Sequence, residues 1–369
     1  MLYDPDAFGE LTDEPWDEAR ARDGIAAIVA DADAAFDPDA LWPAHEWDGW
    51  QAALPLKNLY VGAAGVVFAL DELRRRGLAE STLDFPTIVA SALERWRAEP
   101  DVVDEALPEP SESALLTGET GILLVACRLG HGLEDALRAR IGANLVNEAD
   151  DLMFGTPGTL VAAVAMGWDD LARESAATLA SRRDADGLWT QRIWGTSFQG
   201  VGTVHGLSGS VRALLQLDDP RNEALRSESA AVLARLATRE DGFANWHGEG
   251  KLQWCAGAPG VVSAARDYLD EELLLAGAEL VWHVGPPAEE KGHGICHGTS
   301  GNGFALLGAF ERTQDELWLD RARRFAMHAL AQAARMPGRY SLFTGGAGTA
   351  LFAAACLDGD ARYPVLESR

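Results

Sequence analysis

Seven copies of one glycine motif constrain the fold of this chain more than any other feature of its sequence. Each copy has an apolar approach, the pattern Gly-x-x-Gly and then an apolar run, and the first glycines are residues 62, 118, 155, 206, 257, 298 and 345. The copies are spaced by about 47 residues on average, which is the length of a helical hairpin repeat. The repeats therefore predict one large repetitive architecture over residues 59–355.

Amphipathic stretches lie between the motifs, with apolar residues at spacings of three and four and charged residues elsewhere. They predict seven outer helices, over residues 14–36, 85–99, 133–148, 168–183, 221–239, 266–282 and 314–335. The runs after the motifs are almost wholly apolar or small, and so predict seven helices that are buried on most sides. The economical arrangement is an all-α fold, an α/α toroid or double-layered α-barrel, in which residues 1–369 are expected to form a single domain.

In such a toroid the loops that lead into the inner helices emerge on one face, where seven helix N-termini converge. Residues just before the motifs therefore meet, although they are far apart in sequence. Read in order, these loops contribute Asp151, His205, Cys255, Cys296 and His297. Segments 99–113 and 283–294 are expected to be loops on the same face, and segment 184–204 is expected to form part of a substrate wall.

Composition and charge disfavour several classes of function. Lys and Arg number 31 against 57 Asp and Glu, so the formal net charge of -26 argues against nucleic acid or an anionic membrane surface as a partner. No apolar run reaches the roughly 18 residues of a membrane span, and the first residues lack the features of a secretion signal. Four cysteines in 369 residues are too sparse for a disulfide framework. We therefore expect a cytoplasmic protein with reduced thiols.

Cys255 and the pair Cys296-His297 stand at equivalent positions of two adjacent repeats. Two thiolates and one imidazole with a vacant fourth position hold zinc in a form that can do chemistry. Such a zinc ion can bind an incoming thiol as thiolate, or it can activate a water molecule for hydrolysis. The other two cysteines, Cys127 and Cys356, fall within apolar runs and are expected in the core.

Three further residues are candidates for catalysis. His205 stands at the mouth of the fourth inner helix, and an imidazole suits proton transfer near neutral pH. Asp151 is placed to orient His205 or to accept a proton, although a carboxylate at such a position is also a common helix cap. Lys251 would bring a positive charge near an anionic intermediate. Among the other histidines, only His293 is close enough to Cys296 in sequence to be a spare ligand or a proton shuttle.

These motifs resemble those of a known family over essentially the whole repeat region. The seven Gly-x-x-Gly repeats are similar to those of the lanthionine synthetase C (LanC) and LanC-like proteins. The most specific elements of the resemblance are Trp254-Cys255-x-Gly-x-Pro-Gly and Cys296-His297-Gly-x-x-Gly-Asn302.

The resemblance implies a fold, a cofactor and a reaction together. It implies an α/α toroid with one zinc ion, for which the matching residues are Cys255, Cys296 and His297. It implies a carbon–sulfur bond-forming cyclase of the lyase class, which adds a Cys thiol to dehydroalanine or dehydrobutyrine and forms a thioether, as in lantibiotic biosynthesis. His205 matches the family's catalytic histidine, and Asp151 matches its acidic residue. The implied partners are a dehydrated peptide or protein, glutathione, and a dehydratase.

Two positions depart from the family's pattern. Lys251 stands where peptide-cyclising members carry Arg, and Ala256 stands where relatives carry Tyr or His. The sequence therefore leaves open whether a peptide is cyclised or a small thiol such as glutathione is added to a dehydrated protein.

Two interpretations from other classes also stay open. The first is a metal-dependent hydrolase or a toroidal glycosidase, although a glycosidase needs a second carboxylate across the site and the loops equivalent to that of Asp151 offer none. The second is a zinc-containing scaffold that binds without catalysis.

Overall fold

Every Gly-x-x-Gly motif leads into a helix in the computed structural model, which describes residues 2–49, 52–101, 112–193 and 195–367. The α-helices of these ranges are, in chain order, α1 (Glu18–Ala35), α2 (Ala63–Arg75), α3 (Phe85–Ala98), α4 (Glu119–Arg128), α5 (Glu134–Asn144), α6 (Thr156–Ala165), α7 (Asp169–Arg182), α8 (Leu207–Leu214), α9 (Asn222–Leu236), α10 (Ala258–Ala264), α11 (Glu271–Val284), α12 (Thr299–Thr313), α13 (Glu316–Arg335) and α14 (Gly346–Asp358). Each even-numbered helix begins directly after the first glycine of a motif, and each odd-numbered helix falls on an amphipathic stretch.

The even-numbered helices form a closed inner ring, because each packs against the next and α14 packs against α2. The odd-numbered helices lie outside this ring, so that α3 contacts α2 and α4, and α11 contacts α10 and α12. Burial follows the same division. Every residue of α14 from Gly346 to Cys356 is buried, whereas α1 buries only Ala21, Ile25, Val29 and Ala32. The predicted all-α toroid of seven inner and seven outer helices is therefore confirmed for the part of the chain that the structure describes.

The second glycine of the motif lets an inner helix lie directly against the loop that precedes it. A Cβ atom at Gly260 would collide with the carbonyl oxygen of Trp254, and a Cβ atom at Gly301 would collide with that of Ile295. Any larger residue would push these loops away from their helices. The glycines thus fix the two loops that carry the adjacent candidate ligands.

Backbone hydrogen bonds join the loops of five successive repeats through the residues two positions before their first glycines. The N–H of Cys255 donates to the carbonyl of Cys296 at 3.4 Å, and the N–H of Cys296 donates to that of Phe343 at 2.7 Å. The series continues from Phe343 to Tyr60 at 3.1 Å, and from Tyr60 to Leu116 at 2.9 Å. Residues in the same repeat position are therefore neighbours on one face of the ring.

Two short antiparallel hairpins were not predicted, and their strands are β1 (Thr190–Ile193), β2 (Thr196–Gln199), β3 (Thr238–Glu240) and β4 (Phe243–Asn245). The first hairpin lies within the predicted connection 184–204. The second shortens the predicted helix 221–239, so that α9 ends at Leu236. Short 3-10 turns occur at Pro5–Ala7 and Glu289–Lys291.

Helix boundaries follow the capping side chains more closely than the apolar pattern. Helix α11 begins at Glu271 rather than at 266, because the side chain of Asp270 accepts the N–H of Leu273 at 3.1 Å. Most of the predicted loop 99–113 lies outside the described residues. Among the helices that the structure does describe, none is long and apolar enough to cross a bilayer.

Residues 360–367 pack into the ring and contact the motif residues from within. The ring of Tyr363 lies 5.2 Å from that of Trp254 and 4.5 Å from that of Phe304, measured between centroids. Glu367 is buried and forms ion pairs with Arg212 and Arg266. Because Trp254 directly precedes a candidate metal ligand, this segment supports the loop that carries the ligand.

Candidate metal centre

Three candidate ligands from two adjacent loops come together at the face where the inner helices begin. The ligand atoms of Cys255, Cys296 and His297 all lie within 4.8 Å of one another. The sulfur of Cys296 is 3.6 Å from Nε2 of His297. The repeat register thus brings together the same three residues that the sequence predicts to bind metal.

The two thiols differ in their electrostatic surroundings. The hydrogen bond between them holds the pKa of the Cys255 thiol well below its ordinary value, with help from His297 and from Gln253, whose Nε2 donates to the sulfur at 3.0 Å. Burial raises the pKa of Cys296, and the neighbouring charge on Cys255 raises it further. A divalent cation between the two sulfurs would favour the thiolate form of both.

The donor set fits zinc. Two thiolates and one imidazole are the ligands of catalytic zinc sites that keep a fourth position open for water or substrate. His297 also lines a cavity of about 530 Å³, so a metal held by these residues would face the space in which a substrate fits.

The cavity is lined by cations as well as by aromatic rings. Lys291 and Arg339 both line it, and both approach the half-exposed ring of Trp47, at 5.6 Å and 5.4 Å from its centroid. Lys291 belongs to the predicted loop 283–294, which therefore does reach the site face. Lys291 and Arg339 offer positive charge to an anionic part of a substrate, and the carboxylate of Asp48 lines the same cavity.

His205 and Asp151 form a hydrogen-bonded pair in the neighbouring loops. Nδ1 of His205 lies 2.6 Å from Oδ2 of Asp151, whose other oxygen accepts the N–H of Phe154 at 2.8 Å. The ring of Phe154 stacks on that of His205. Burial opposes a charged imidazole, but the hydrogen bond and the charge of Asp151 raise the pKa of His205 above its ordinary value, and the charge of Cys255 adds to this.

Two other predicted residues have partners outside the group of candidate ligands. Lys251 is half-exposed, and its Nζ lies 3.3 Å from a carboxylate oxygen of Glu249, so its catalytic role stays a prediction. His293 is buried, and its Nδ1 is 2.9 Å from the hydroxyl of Thr349. Burial lowers the pKa of His293 to about 4. It does not belong to the group of candidate ligands found among the described residues.

Sequence reasoning missed Tyr60, which contacts the candidate centre directly. Its phenol hydrogen-bonds the thiol of Cys296, and its ring stacks on Phe343 with centroids 5.2 Å apart. Tyr60 also lines the cavity beside His297. The signal was present, because Tyr60 stands two residues before the first glycine of its repeat, the position that Cys255 and Cys296 occupy in theirs.

Known proteins resemble this chain in sequence and in fold. The family model for lanthionine synthetase C-like protein matches residues 56–367. The glutathione S-transferase LANCL1 of Danio rerio is 33% identical over 188 residues, which cover 45% of this chain. This chain in turn spans about 45% of the length of that relative. The solved structure of a nisin cyclase shares the fold with a TM-score of 0.57 and 14% identity, over 81% of this chain and 88% of that one.

Proposed function

The chain belongs to the lanthionine synthetase C-like family, and we propose that it is a zinc-dependent lanthionine synthetase (cyclase). The proposed reaction adds a Cys thiol to dehydroalanine or dehydrobutyrine in a dehydrated peptide and yields a thioether. One observation carries the proposal: the group Cys255, Cys296 and His297 shares one face with the hydrogen-bonded pair of His205 and Asp151. A ligand set for a thiol-binding metal thus stands beside a proton donor.

Cys255, Cys296 and His297 would hold the zinc ion. When bound, zinc supplies a Lewis acid that lowers the pKa of an incoming thiol from about 8.5. The thiol gives up its proton to solvent, its sulfur forms a bond with the β-carbon of the dehydro residue, and the π bond between the α- and β-carbons breaks. The electron pair of that bond passes to the α-carbon and its carbonyl group, which must then take up a proton.

His205 is the proposed source of this proton. Its pKa is raised, so a larger fraction of the ring is protonated near neutral pH than in an ordinary histidine. Asp151 binds Nδ1, so Nε2 is the atom through which the ring would pass a proton to substrate. Phe154 covers one face of the ring and limits the approach of water from that side.

A second candidate function is the addition of glutathione to a dehydrated protein. It is favoured by Lys291 and Arg339, which line the same cavity as His297 and suit the carboxylates of an anionic thiol. The name of the Danio rerio relative, a glutathione S-transferase, points in the same direction. Both functions use the same chemistry and differ in whether the thiol belongs to the substrate peptide.

The first experiment is zinc analysis of the purified chain and of two matched cysteine variants. We expect about one zinc per chain in the wild type. Cys296→Ala should lose the metal, whereas Cys127→Ala should retain it, because Cys127 is buried in α4. A wild type without zinc, purified without chelators and supplied with the metal, would contradict the proposal.

A second experiment separates the two candidate functions. One dehydroalanine peptide contains a cysteine, and a second peptide lacks it and is supplied with glutathione. Cyclisation consumes a free thiol without changing the mass of the peptide, whereas addition raises the mass by that of glutathione. Thiol alkylation followed by mass spectrometry distinguishes them. Zinc binding without either product would favour a non-catalytic scaffold.

A further inference from the structure

Three side chains at one equivalent repeat position hold the loops that carry the candidate site. The position lies four residues after the first glycine of a motif, within the inner helix. It is occupied by Ser210, Asn302 and Thr349, which we call the loop clamps. Each clamp donates a hydrogen bond to a backbone carbonyl in the loop of the preceding repeat.

The three hydrogen bonds are one contact repeated around the ring. The donor and acceptor pairs are Ser210 Oγ and Asp150 O (3.0 Å), Asn302 Nδ2 and Leu252 O (3.3 Å), and Thr349 Oγ1 and His293 O (2.9 Å). Every acceptor lies five residues before the first glycine of its own motif. The exposed fraction of each clamp is at most 1%, so bulk water does not compete for these carbonyls.

The clamps occur where the site residues are. The acceptor carbonyls belong to the loops of Asp151, Cys255 and Cys296. The same position of the other inner helices is occupied by Val66, Ile122, Thr159 and Val261, of which three are apolar. Thr159 directs its hydroxyl to a carbonyl of its own helix, that of Thr156, at 3.2 Å.

Ser210 reaches both loops of the proton-transfer pair. Besides the carbonyl of Asp150, its hydroxyl lies 3.1 Å from the carbonyl of Gly206, the residue after His205. The buried amide of Gln191, from β1, donates to the carbonyl of Asp150 as well, at 3.0 Å. Side chains from two elements, α8 and β1, therefore hold the backbone carbonyl group that precedes Asp151.

We propose that the loop clamps are positioning residues. Asn302 and Thr349 hold the loops of the metal ligands, and Ser210 holds Asp151 against His205. The functional meaning of this inference and its zinc measurement rest on the proposed function, whereas the titration of His205 does not. Hydrogen bonds to the loops that carry metal ligands and catalytic groups fix the geometry of those groups without touching substrate.

The test measures two properties on the zinc-supplied full-length chain. The zinc dissociation constant is obtained by chelator competition, and the pKa of His205 by NMR titration. Asp151 and Cys255 are charged groups that act on His205 from its neighbouring loops. Thr349→Val and Asn302→Leu should weaken zinc binding about tenfold and leave the titration of His205 unchanged. Ser210→Ala should leave zinc binding unchanged and move the pKa of His205 towards about 6.5.

Two matched variants control for a general loss of packing. Thr159→Val makes the same change at the same repeat position, and Thr159 is as buried as Thr349. Ser175→Ala removes a buried hydroxyl from the outer helix α7. Both controls should leave zinc binding and the pKa of His205 unchanged.

The inference fails if the clamp variants match the wild type in both measurements, or if the controls change them as much as the clamp variants do. If the wild-type chain binds no zinc, the proposed function fails instead. The titration of His205 in Ser210→Ala then decides the inference by itself.

Discussion

Asp151 and His205 are 54 residues apart in the chain, yet a carboxylate oxygen of the first lies 2.6 Å from Nδ1 of the second. The side chain of Asp151 is fully buried, and backbone N–H groups of Phe154 and Gly155 bind its other oxygen at 2.8 Å and 3.3 Å. The carboxylate is thus held in one orientation. It fixes the tautomer of neutral His205 and stabilises the ring when it carries a proton.

This pair predicts a characteristic dependence on pH. A reaction that needs protonated His205 should stay active above pH 6.5. Its rate should decline as the pH rises through the raised pKa of His205, with the slope expected for the loss of one proton. Asp151→Asn removes the charge that raises this pKa, so the decline should move to lower pH and kcat should fall by roughly 10² to 10⁴. The pH profile of kcat and the NMR titration of His205 measure both effects. A decline at the same pH in both proteins would contradict the assigned pair.

The raised pKa of His205 also predicts how the stability of the fold depends on pH. Because the pKa of His205 is raised on folding, its contribution is fully present below the unfolded pKa, and it is lost as the pH rises through the folded pKa. The stability advantage of the wild type over Asp151→Asn should therefore shrink as the pH rises through this window. Urea unfolding at a series of pH values measures the difference.

Tyr60 predicts a change at the metal centre that activity alone would not reveal. Its phenol contacts the sulfur of Cys296, so Tyr60→Phe should weaken zinc binding by about tenfold and shift the thiolate-to-metal absorption of the cobalt-substituted protein. Tyr268→Phe is the matched control, because its buried hydroxyl lies in the connection between α10 and α11. Equal cobalt spectra for the wild type and Tyr60→Phe would show that the phenol does not act on the thiolate.

The cations of the cavity predict a selective effect on anionic thiols. Lys291→Gln removes one of the two positive charges that line the cavity with His297. The KM for glutathione should therefore rise by roughly 3- to 10-fold, and this KM should depend less on salt concentration than in the wild type. Arg335→Gln is the control, since Arg335 is half-exposed and pairs with Glu289 at 3.5 Å. KM for a neutral thiol should not change in either variant. A general rise for all thiols would instead indicate a distorted cavity.

The fold and the group of candidate ligands were predictable because the repeat itself carries the information. Seven motifs in register place equivalent residues side by side, so Cys255 and Cys296 could be paired without any local Cys-x-x-Cys spacing. The same register placed Asp151 near His205. The resemblance to the lanthionine synthetase C-like family is confirmed by the match over residues 56–367.

What the sequence did not reveal depends on contacts that no periodic pattern encodes. The hairpin β1–β2 has only four residues in each strand, too few for an alternating pattern to stand out from a loop. The phenol of Tyr60 was overlooked because tyrosine in an apolar approach is usually a packing residue.

Glu367 predicts a large loss of stability when its charge is removed. It is buried between two arginines: Nη2 of Arg266 lies 2.8 Å and Nε of Arg212 2.6 Å from one of its oxygens. Burial alone would raise the pKa of Glu367, but the two guanidinium groups hold it below its usual value of 4.5. Glu367→Gln leaves Arg266, which is 1% exposed, with less compensation for its charge and should cost roughly 3 to 5 kcal/mol in the free energy of unfolding.

Because the pKa of Glu367 is depressed on folding, its contribution is present above the unfolded pKa and is lost as the pH falls through the folded pKa. The wild type and Glu367→Gln should therefore differ most in urea unfolding at neutral pH and converge below pH 4.5, the usual value for this group. Glu316→Gln, at the exposed first turn of α13, is the control and should match the wild type. A constant difference at every pH would mean that the carboxamide disturbs packing rather than charge. A normal zinc content in Glu367→Gln would further show that the charge of Glu367 stabilises the ring without governing the metal centre.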